Sequence, residues 1–342
     1  VCGISGLYRY GPKPITEEQI ALFLVGNEHR GNDSTGMAFQ QEDGVVVVLK
    51  KDTPAWKFVV SDEYKKFIKE NLHDKTITVL LHARGATQGN PRDNKNNHPL
   101  YSGLTAVIHN GVIRNDNFLF HDLKLKREAD TDSDILRAII DQWGITPEGI
   151  EKLDKVSGSA AGAAISPKFP GKLLLFRSGS PMAIASDENT FVFSSEKNTI
   201  HKAMRPWVKR WGIWWQSQRP ELSFSYMPDH TAWILSDKGL EGHYQFKTMS
   251  GNYFDPIRRT YEDYAKRQDE FDRRITTNGV TVKIDDDISQ EPAWCSKCQK
   301  EWMIPKGKSP RNYTCNKDHK GCGKVLSYPP EKGSEKKLEA VN

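Results

Sequence analysis

Residues 1–11 read VCGISGLYRYG, and the cysteine at position 2 is the residue on which the reading of the chain turns. Only five cysteines occur in 342 residues, and the other four lie beyond residue 290. Cys2 therefore has no near neighbour in sequence with which to share a metal or a disulfide. If the preceding residue is removed, Cys2 carries a thiol and a free α-amino group together. The amine, with an ordinary pKa of about 7.7–8.0, lies close to the thiol's roughly 8.5 and can act as its base. A free cysteine at the start of a strand can equally be a small buried hydrophobe. The rest of the chain decides between the two.

Charged residues make up 27% and hydrophobic residues 37%, an ordinary composition for a water-soluble protein of one large and one small domain, or of two medium ones. No apolar run approaches the ~18 residues of a membrane span, and the first residues lack the basic-then-apolar pattern of a signal peptide. A reducing cytoplasm, with no membrane partner, is the expected compartment. The net charge of +5 is localised: from Glu291 onward there are 11 Lys/Arg against 6 Asp/Glu, and the remainder holds 38 of each.

Strand and helix patterns alternate along the first 250 residues. "PITEEQIALFLV" (14–25) begins a helix, with Thr16 as cap, Gln19 completing a capping box, and Ile15 and Ile20 placed as a hydrophobic staple. "GVVVVLK" (44–50), "TITVLLH" (76–82) and "LTAVIHN" (104–110) read as strands, while "DEYKKFIKENL" (62–72) and "TDSDILRAIIDQW" (131–143) read as helices. Strand, turn and strand follow through "GSAAGAAIS", "GKLLLFRSGSPMAIA" and "TFVFSSEK". "TAWILSD" and "GHYQFKT" form a hairpin turned at "DKGL". The fold class is α+β, layered, with mostly antiparallel sheets.

Polar clusters stand beside these strands and helices: "EHRGNDSTGMAF" (28–39), "LHARGATQGN" (81–90), "NNHPL" (96–100), "HNGVIRN" (109–115) and "ADTDSDIL" (129–136). A thiol attacking an amide needs a base, oxyanion donors and groups that fix the rest of the substrate. Asn110 and Gly111 can supply two donors, the side-chain amide and a backbone N–H. Arg84 suits a carboxylate and Asp132 an ammonium, so together they would hold an α-amino acid by both charged ends. Each motif has a plainer reading: Asn-Gly is commonly a hairpin turn, and "DTDSD" an acidic helix start.

Their order is more specific. "CGISG", "RGNDSTG", "HARGATQG", "HNGVIRN", "TDSDIL" and "RSGSPMAIA" fall in the register of the class II glutamine amidotransferases, which the chain resembles over about residues 2–245. The branch most similar is that of glucosamine-6-phosphate synthase. The resemblance implies a four-layer αββα sandwich of the N-terminal-nucleophile (Ntn) hydrolase kind. It also implies glutamine as nitrogen donor and Cys2 as the nucleophile that forms a γ-glutamyl thioester and releases ammonia. Asn110 and Gly111 would form the oxyanion hole, Arg84 bind the α-carboxylate and Asp132 the α-ammonium. Thr87 and Gly89 would shape the pocket, Arg30 brace the Cys2 loop, and His98 make a structural hydrogen bond near it. Two positions depart from the pattern. Gly85 replaces a bulky aromatic that helps close the loop and gate ammonia, and Gln88 replaces a histidine; glutamine hydrolysis is expected to survive both. Val1 reads as the product of a GTG start, removed to free the Cys2 amine.

After the amidotransferase region (2–248) a charged helical linker is expected at 249–290, a zinc ribbon at 291–328 and a disordered tail at 329–342. "CSKC" (295–298) and "YTCNKDHKGCGKVL" (313–326) have zinc-ribbon spacing, with Cys295, Cys298, Cys315 and Cys322 as ligands or His319 in place of Cys315. Structural zinc and no organic cofactor are expected. "PWVKRWGIWWQ" (206–216) is either core or a surface that stacks bases or grips a protein. No acceptor-using motif is visible, so a separate acceptor or synthase protein is the expected partner. Nucleic acid is a candidate partner through the basic ribbon. The competing functions are a self-contained amidohydrolase of a γ-glutamyl compound and a non-catalytic module binding nucleic acid or protein.

Overall fold

Strand β1, Gly3–Arg9, is buried along almost its whole length, as its run of small and apolar residues requires. It lies between two antiparallel neighbours, β10 (Thr190–Ser194) and β4 (Thr76–Arg84). With β2 (Ser34–Gln41), β3 (Val46–Lys51), β9 (Ala183–Ser186) and β13 (Ser223–Tyr226) they make a seven-stranded sheet of order β13-β9-β10-β1-β4-β2-β3. A second sheet has order β15-β14-β8-β7-β6-β5. Its strands are β5 (Leu100–Tyr101), β6 (Ala106–Ile113), β7 (Gly158–Ile165), β8 (Leu173–Ser178), β14 (Thr231–Ser236) and β15 (Gly239–Gln245). Every pairing within both sheets is antiparallel. The computed structural model describes residues 2–204, 223–247 and 249, with the backbone of strands at 207–210 and 213–216 and of five short strands beyond residue 290.

Side-chain alternation divides each strand between two cores. Ile4, Tyr8, Ala38 and Leu80 of the first sheet meet Ala106, Ile108, Ala161, Ala163, Leu173 and Leu175 of the second. The alanines of β6 and β7 keep this inter-sheet layer thin. The opposite face of the second sheet, with Val107, Ile113, Ala160, Ala164 and Leu174, packs on helices α4 (Asp116–Asp122), α5 (Asp134–Trp143) and α6 (Pro147–Leu153). Ile135, Ile139 and Ile140, expected on one side of α5, are all buried there. Helices α1 (Glu17–Asn27), α2 (Ala55–Phe58), α3 (Asp62–Asn71) and α7 (Lys197–Met204) contact strands of the first sheet. The order of layers is therefore helices, sheet, sheet, helices. Thr16 caps α1 with the expected capping box: Gln19 N–H donates to Thr16 Oγ1 at 3.2 Å, and Thr16 N–H to Gln19 Oε1 at 3.0 Å. The hairpin at residues 231–245 forms as expected.

Two differences from the sequence reading concern strands. β2 begins at Ser34, inside a stretch read only as a polar cluster, because the strand is buried on both faces and shows no alternation. β6 continues through Asn110 and Gly111 to Ile113, so the Asn-Gly pair lies within a strand and makes no turn. β11 (Trp207–Arg210) and β12 (Ile213–Gln216) pair antiparallel as a two-stranded sheet. The tryptophan side chains there, and the linker helix expected in residues 249–290, lie outside the described residues.

The chain divides into two compact units, Val1–Val282 and Lys283–Asn342. In the second, β16 (Trp294–Cys295) pairs with β17 (Lys300–Glu301), and β18 (Met303–Pro305), β19 (Asn312–Cys315) and β20 (Val325–Ser327) form a three-stranded sheet. Among the described residues no helix is long and apolar enough to cross a membrane.

Candidate active site

The register of the first sheet brings three strand ends together. Gly3 pairs with Ala83, and Ser34 pairs with Arg84, so the starts of β1 and β2 flank the end of β4. The alternation that turns Ile4 and Leu80 toward the second sheet turns Cys2, His82 and Arg84 the same way. On β6, the row of Ala106 and Ile108 continues with Asn110. Cys2 N accordingly donates to Asn110 Oδ1 at 3.2 Å, across 108 residues of chain. This leaves the Asn110 side-chain nitrogen without a hydrogen-bond partner among the described residues.

Several groups fix Cys2. Its thiol donates to the Gly85 carbonyl at 3.7 Å, and its own carbonyl accepts from Arg30 Nε at 2.9 Å. Arg30 is held in turn by Glu196 at 2.9 Å, which also meets His29 at 3.1 Å. Arg30 thus links the Cys2 carbonyl to the Glu196 carboxylate. Burial pushes the Cys2 thiol up, opposed in part by the nearby charges of Arg84 and Arg30.

Gly111 follows Asn110 with φ +150°, and a Cβ there would stand 1.9 Å from the Ser159 carbonyl oxygen. No larger residue fits that backbone, which is why position 111 is glycine even inside a strand.

Arg84 is buried at 2% exposure, and its guanidinium meets neutral oxygens only. Nη1 donates to Asn97 Oδ1 at 2.9 Å; Nη2 donates to the carbonyls of Gly89, at 3.1 Å, and Gln88. No carboxylate lies within ion-pair distance of it among the described residues. These bonds use three of its five N–H donors and leave the others for a ligand. The loop beyond is pinned where Ala86 N–H donates to Asp33 Oδ2 at 2.7 Å. Thr87 is exposed on this loop and Gly89 half-buried.

Asp132 precedes α5 and is buried. Its Oδ2 accepts from Ile113 N–H at 2.7 Å, and its Oδ1 from Ser133 Oγ at 3.3 Å. The carboxylate keeps acceptor capacity for an ammonium group. Ser133 Oγ also lies 2.8 Å from His109 Nδ1.

His98 differs from its expected role. Neither ring nitrogen has a hydrogen-bond partner among the described residues, and the ring stacks on His82 at 4.3 Å between centroids. His82 Nε2 lies 3.0 Å from the His109 carbonyl oxygen. Sequence reasoning gave no role to Glu196, Asn97, Asp33 or His82. Asn97, Asp33 and His82 lie in the polar clusters at 96–100, 28–39 and 81–90, which marked places to look, while Glu196 carried no such signal because its partner is 166 residues away.

The structure brings together Cys2, Arg30, Arg84, Asn110, Gly111 and Asp132 around one end of the inter-sheet layer. Cys295 ends β16 and Cys315 ends β19 in the second unit; the remaining expected ligands, Cys298, Cys322 and His319, lie outside the described residues.

No protein-family model matches the chain. The glutamine–fructose-6-phosphate aminotransferase (isomerizing) of Fusobacterium nucleatum is 30% identical over 213 residues, covering 60% of this chain and 33% of that protein. The protein of the same name from Chlorobaculum tepidum is 34% identical over 222 residues, covering 58% and 33%. The chain thus spans about a third of the length of these relatives. Among solved structures, glutamine phosphoribosylpyrophosphate amidotransferase from B. subtilis superposes with a TM-score of 0.53 at 16% identity, over 72% of this chain and 49% of that one. A structure described as the allosteric regulatory enzyme of purine biosynthesis gives 0.55 at 15% identity, over 73% and 50%. At such identities the structural likeness concerns the fold alone. Sequence likeness and shared fold together support the class II glutamine amidotransferase domain that the motifs led us to expect.

The histidines behind the site make stability depend on pH. Burial pushes His82 down to about 3, His98 well below its ordinary value and His109 downward. Burial therefore disfavours their protonation in the folded protein, while the unfolded chain takes up protons below its ordinary value of about 6.5. Below that pH the unfolded state binds more protons, so stability is full above about 6.5 and falls as the pH drops. The loss approaches about 1.4 kcal/mol per pH unit for a histidine held as low as His82, at about 3. Urea unfolding between pH 7 and 5 is expected to show this decline, with a slope shallower by about one histidine's share in His98→Phe. An unchanged slope in that variant would exclude His98 as a source.

Proposed function

We propose that residues 2–248 are a glutamine-hydrolysing amidotransferase domain that supplies ammonia to an acceptor carried elsewhere. The observation that carries this reading is Arg84, a buried cation whose partners are all neutral. An unpaired buried charge is costly, and a ligand carboxylate offsets that cost. Asp132, with acceptor capacity to spare, complements it for an α-ammonium group.

The chemistry follows from the groups around Cys2. With Val1 removed, the Cys2 amine takes the thiol proton, and the thiolate attacks the carbonyl carbon of the glutamine side-chain amide. A thiol raised by burial needs such a base beside it. The carbonyl oxygen becomes an oxyanion between Asn110 Nδ2 and the Gly111 N–H. As the intermediate collapses the C–N bond breaks, the amine's proton goes to the leaving nitrogen, and ammonia departs from a γ-glutamyl thioester. Water, giving its proton to the same amine, attacks the thioester. Glutamate leaves and the thiol is restored.

The aminotransferase relatives are named for glutamine and a sugar phosphate, and this chain spans only a third of them. The acceptor is therefore read as a separate domain or protein. The ribbon expected at 291–328 suits a docking role, with nucleic acid one candidate partner on the strength of its basic charge. Zinc fits the donor set Cys295, Cys298, Cys315 and Cys322, with His319 as the alternative ligand. Cys295 ends β16, which pairs antiparallel with β17, and Cys298 follows three residues later in sequence, the spacing of such a knuckle. Four protein ligands would make that site structural.

Cys2→Ala is expected to abolish glutamine hydrolysis while leaving the urea midpoint nearly unchanged. Asn110→Ala is expected to lower turnover by about 10²–10³ with a smaller effect on KM. Wild-type turnover in either variant would refute the assignment. For the metal, one zinc per chain is expected by elemental analysis, and none in a variant with Cys295 and Cys298 changed to Ser; full zinc in that variant would show the ligands to be others.

A further inference from the structure

Asn96 and Asn97 are both completely buried, and neither belongs to the chemistry above. They are consecutive residues leaving a short 3₁₀ turn, Asn94–Asn96, and their side chains serve opposite sides of the pocket. Asn97 Oδ1 accepts from Arg84 Nη1 at 2.9 Å. Its Nδ2 donates to the Pro91 carbonyl at 2.7 Å and to Asn94 Oδ1 at 3.1 Å. Its own carbonyl accepts from Lys50 Nζ at 2.7 Å. Every hydrogen-bonding group of this side chain is engaged in setting where the guanidinium stands.

Asn96 works toward the other end. Its Oδ1 accepts from the Asp130 N–H at 2.8 Å, two residues before Asp132, and its Nδ2 donates to the Asn90 carbonyl at 3.3 Å. The backbone at Gly89 runs so close to it that a Cβ there would lie 2.9 Å from Asn96 Cγ and 3.1 Å from Thr131 Cγ2. The exposed ion pair Lys95–Asp130, at 3.2 Å, joins the same two segments but contributes little in water.

We propose that Asn96 and Asn97 are positioning residues that together fix the separation of the two ends of the amino-acid clamp. Asn97 aims Arg84 at the ligand's α-carboxylate, and Asn96 holds the segment that presents Asp132 to its α-ammonium. The inference rests on the glutamine reading above. Neutral side chains suit both tasks: an amide oxygen orients a guanidinium or an N–H without neutralising the charge that the ligand must meet.

The test measures glutamine KM and kcat with inhibition constants for two truncated amides. γ-Aminobutyramide lacks the α-carboxylate, and glutaramate lacks the α-amine. Asn97→Ala is expected to raise glutamine KM and the glutaramate constant by about 10–100-fold, the loss of one hydrogen bond to a charged group. It should leave kcat within a few-fold and γ-aminobutyramide unaffected. Asn97→Asp, which keeps the acceptor but pairs its charge with Arg84, should show the same split. Asn96→Ala is expected to raise glutamine KM and the γ-aminobutyramide constant while sparing glutaramate. Asn96→Asp, retaining the acceptor for Asp130 N–H, should restore much of the loss. Parallel weakening of both amides, or a fall in kcat with KM unchanged, would overturn the proposal and reduce these residues to general supports. If the wild-type protein binds both amides but the variants bind them equally well, the strut fails while the glutamine site stands. If the wild-type protein neither hydrolyses glutamine nor binds either amide, both readings fall together.

Discussion

Side chains along a strand alternate between faces, and in β1, β4 and β6 one of those faces is the closed layer between the sheets. Ile4, Leu80 and Ile108 must lie in that layer to form its core. Cys2, His82, Arg84 and Asn110 then enter it as well, two or four residues further along the same rows. The site is the polar end of an apolar layer. A slip of one residue in any of these strands would send its site residue to the opposite face and replace it with a neighbour of unsuitable chemistry.

Placing polar groups at the margin of a core is costly unless each finds a partner. The molecule meets this demand unevenly, and the unevenness follows function. Arg30 has a carboxylate partner in Glu196 and can serve as a brace. Arg84 has amide and carbonyl oxygens only, so its charge is held in place without being cancelled. Asp132 accepts two hydrogen bonds and meets no cation within ion-pair distance among the described residues. Two opposite charges, each oriented by neutral groups, face a nucleophile whose thiol burial keeps protonated. Such an arrangement is poor economy for folding and suits the binding of an α-amino acid.

Local features were legible in the sequence because their physics is local. The capping box of α1 and the hairpin at 231–245 each depend on residues within a few positions of one another. The resemblance carried Cys2, Arg84, Asn110, Gly111 and Asp132 to one place, and the register explains how they reach it. Other features were not legible. The doubly buried β2 has no alternation to read, and Arg30 meets Glu196 across 166 residues of chain. His98 was expected to form a hydrogen bond and instead lies against the His82 ring, a choice made by the space behind β4 and not by its neighbours in sequence. Asn96 and Asn97 look alike in sequence and serve opposite ends of the pocket, because the chain passes from a 3₁₀ turn at Asn96 to extended backbone at Asn97 and the two side chains leave it in different directions.

The account depends on Cys2 acting with its own amine as base. The most direct measurement is rapid acid quenching during glutamine turnover, followed by intact mass and peptide mapping. The account predicts a chain beginning at Cys2 that carries a γ-glutamyl group on its Sγ. A glutamyl group on another residue, or full activity in a chain that still begins with Val1, would contradict it.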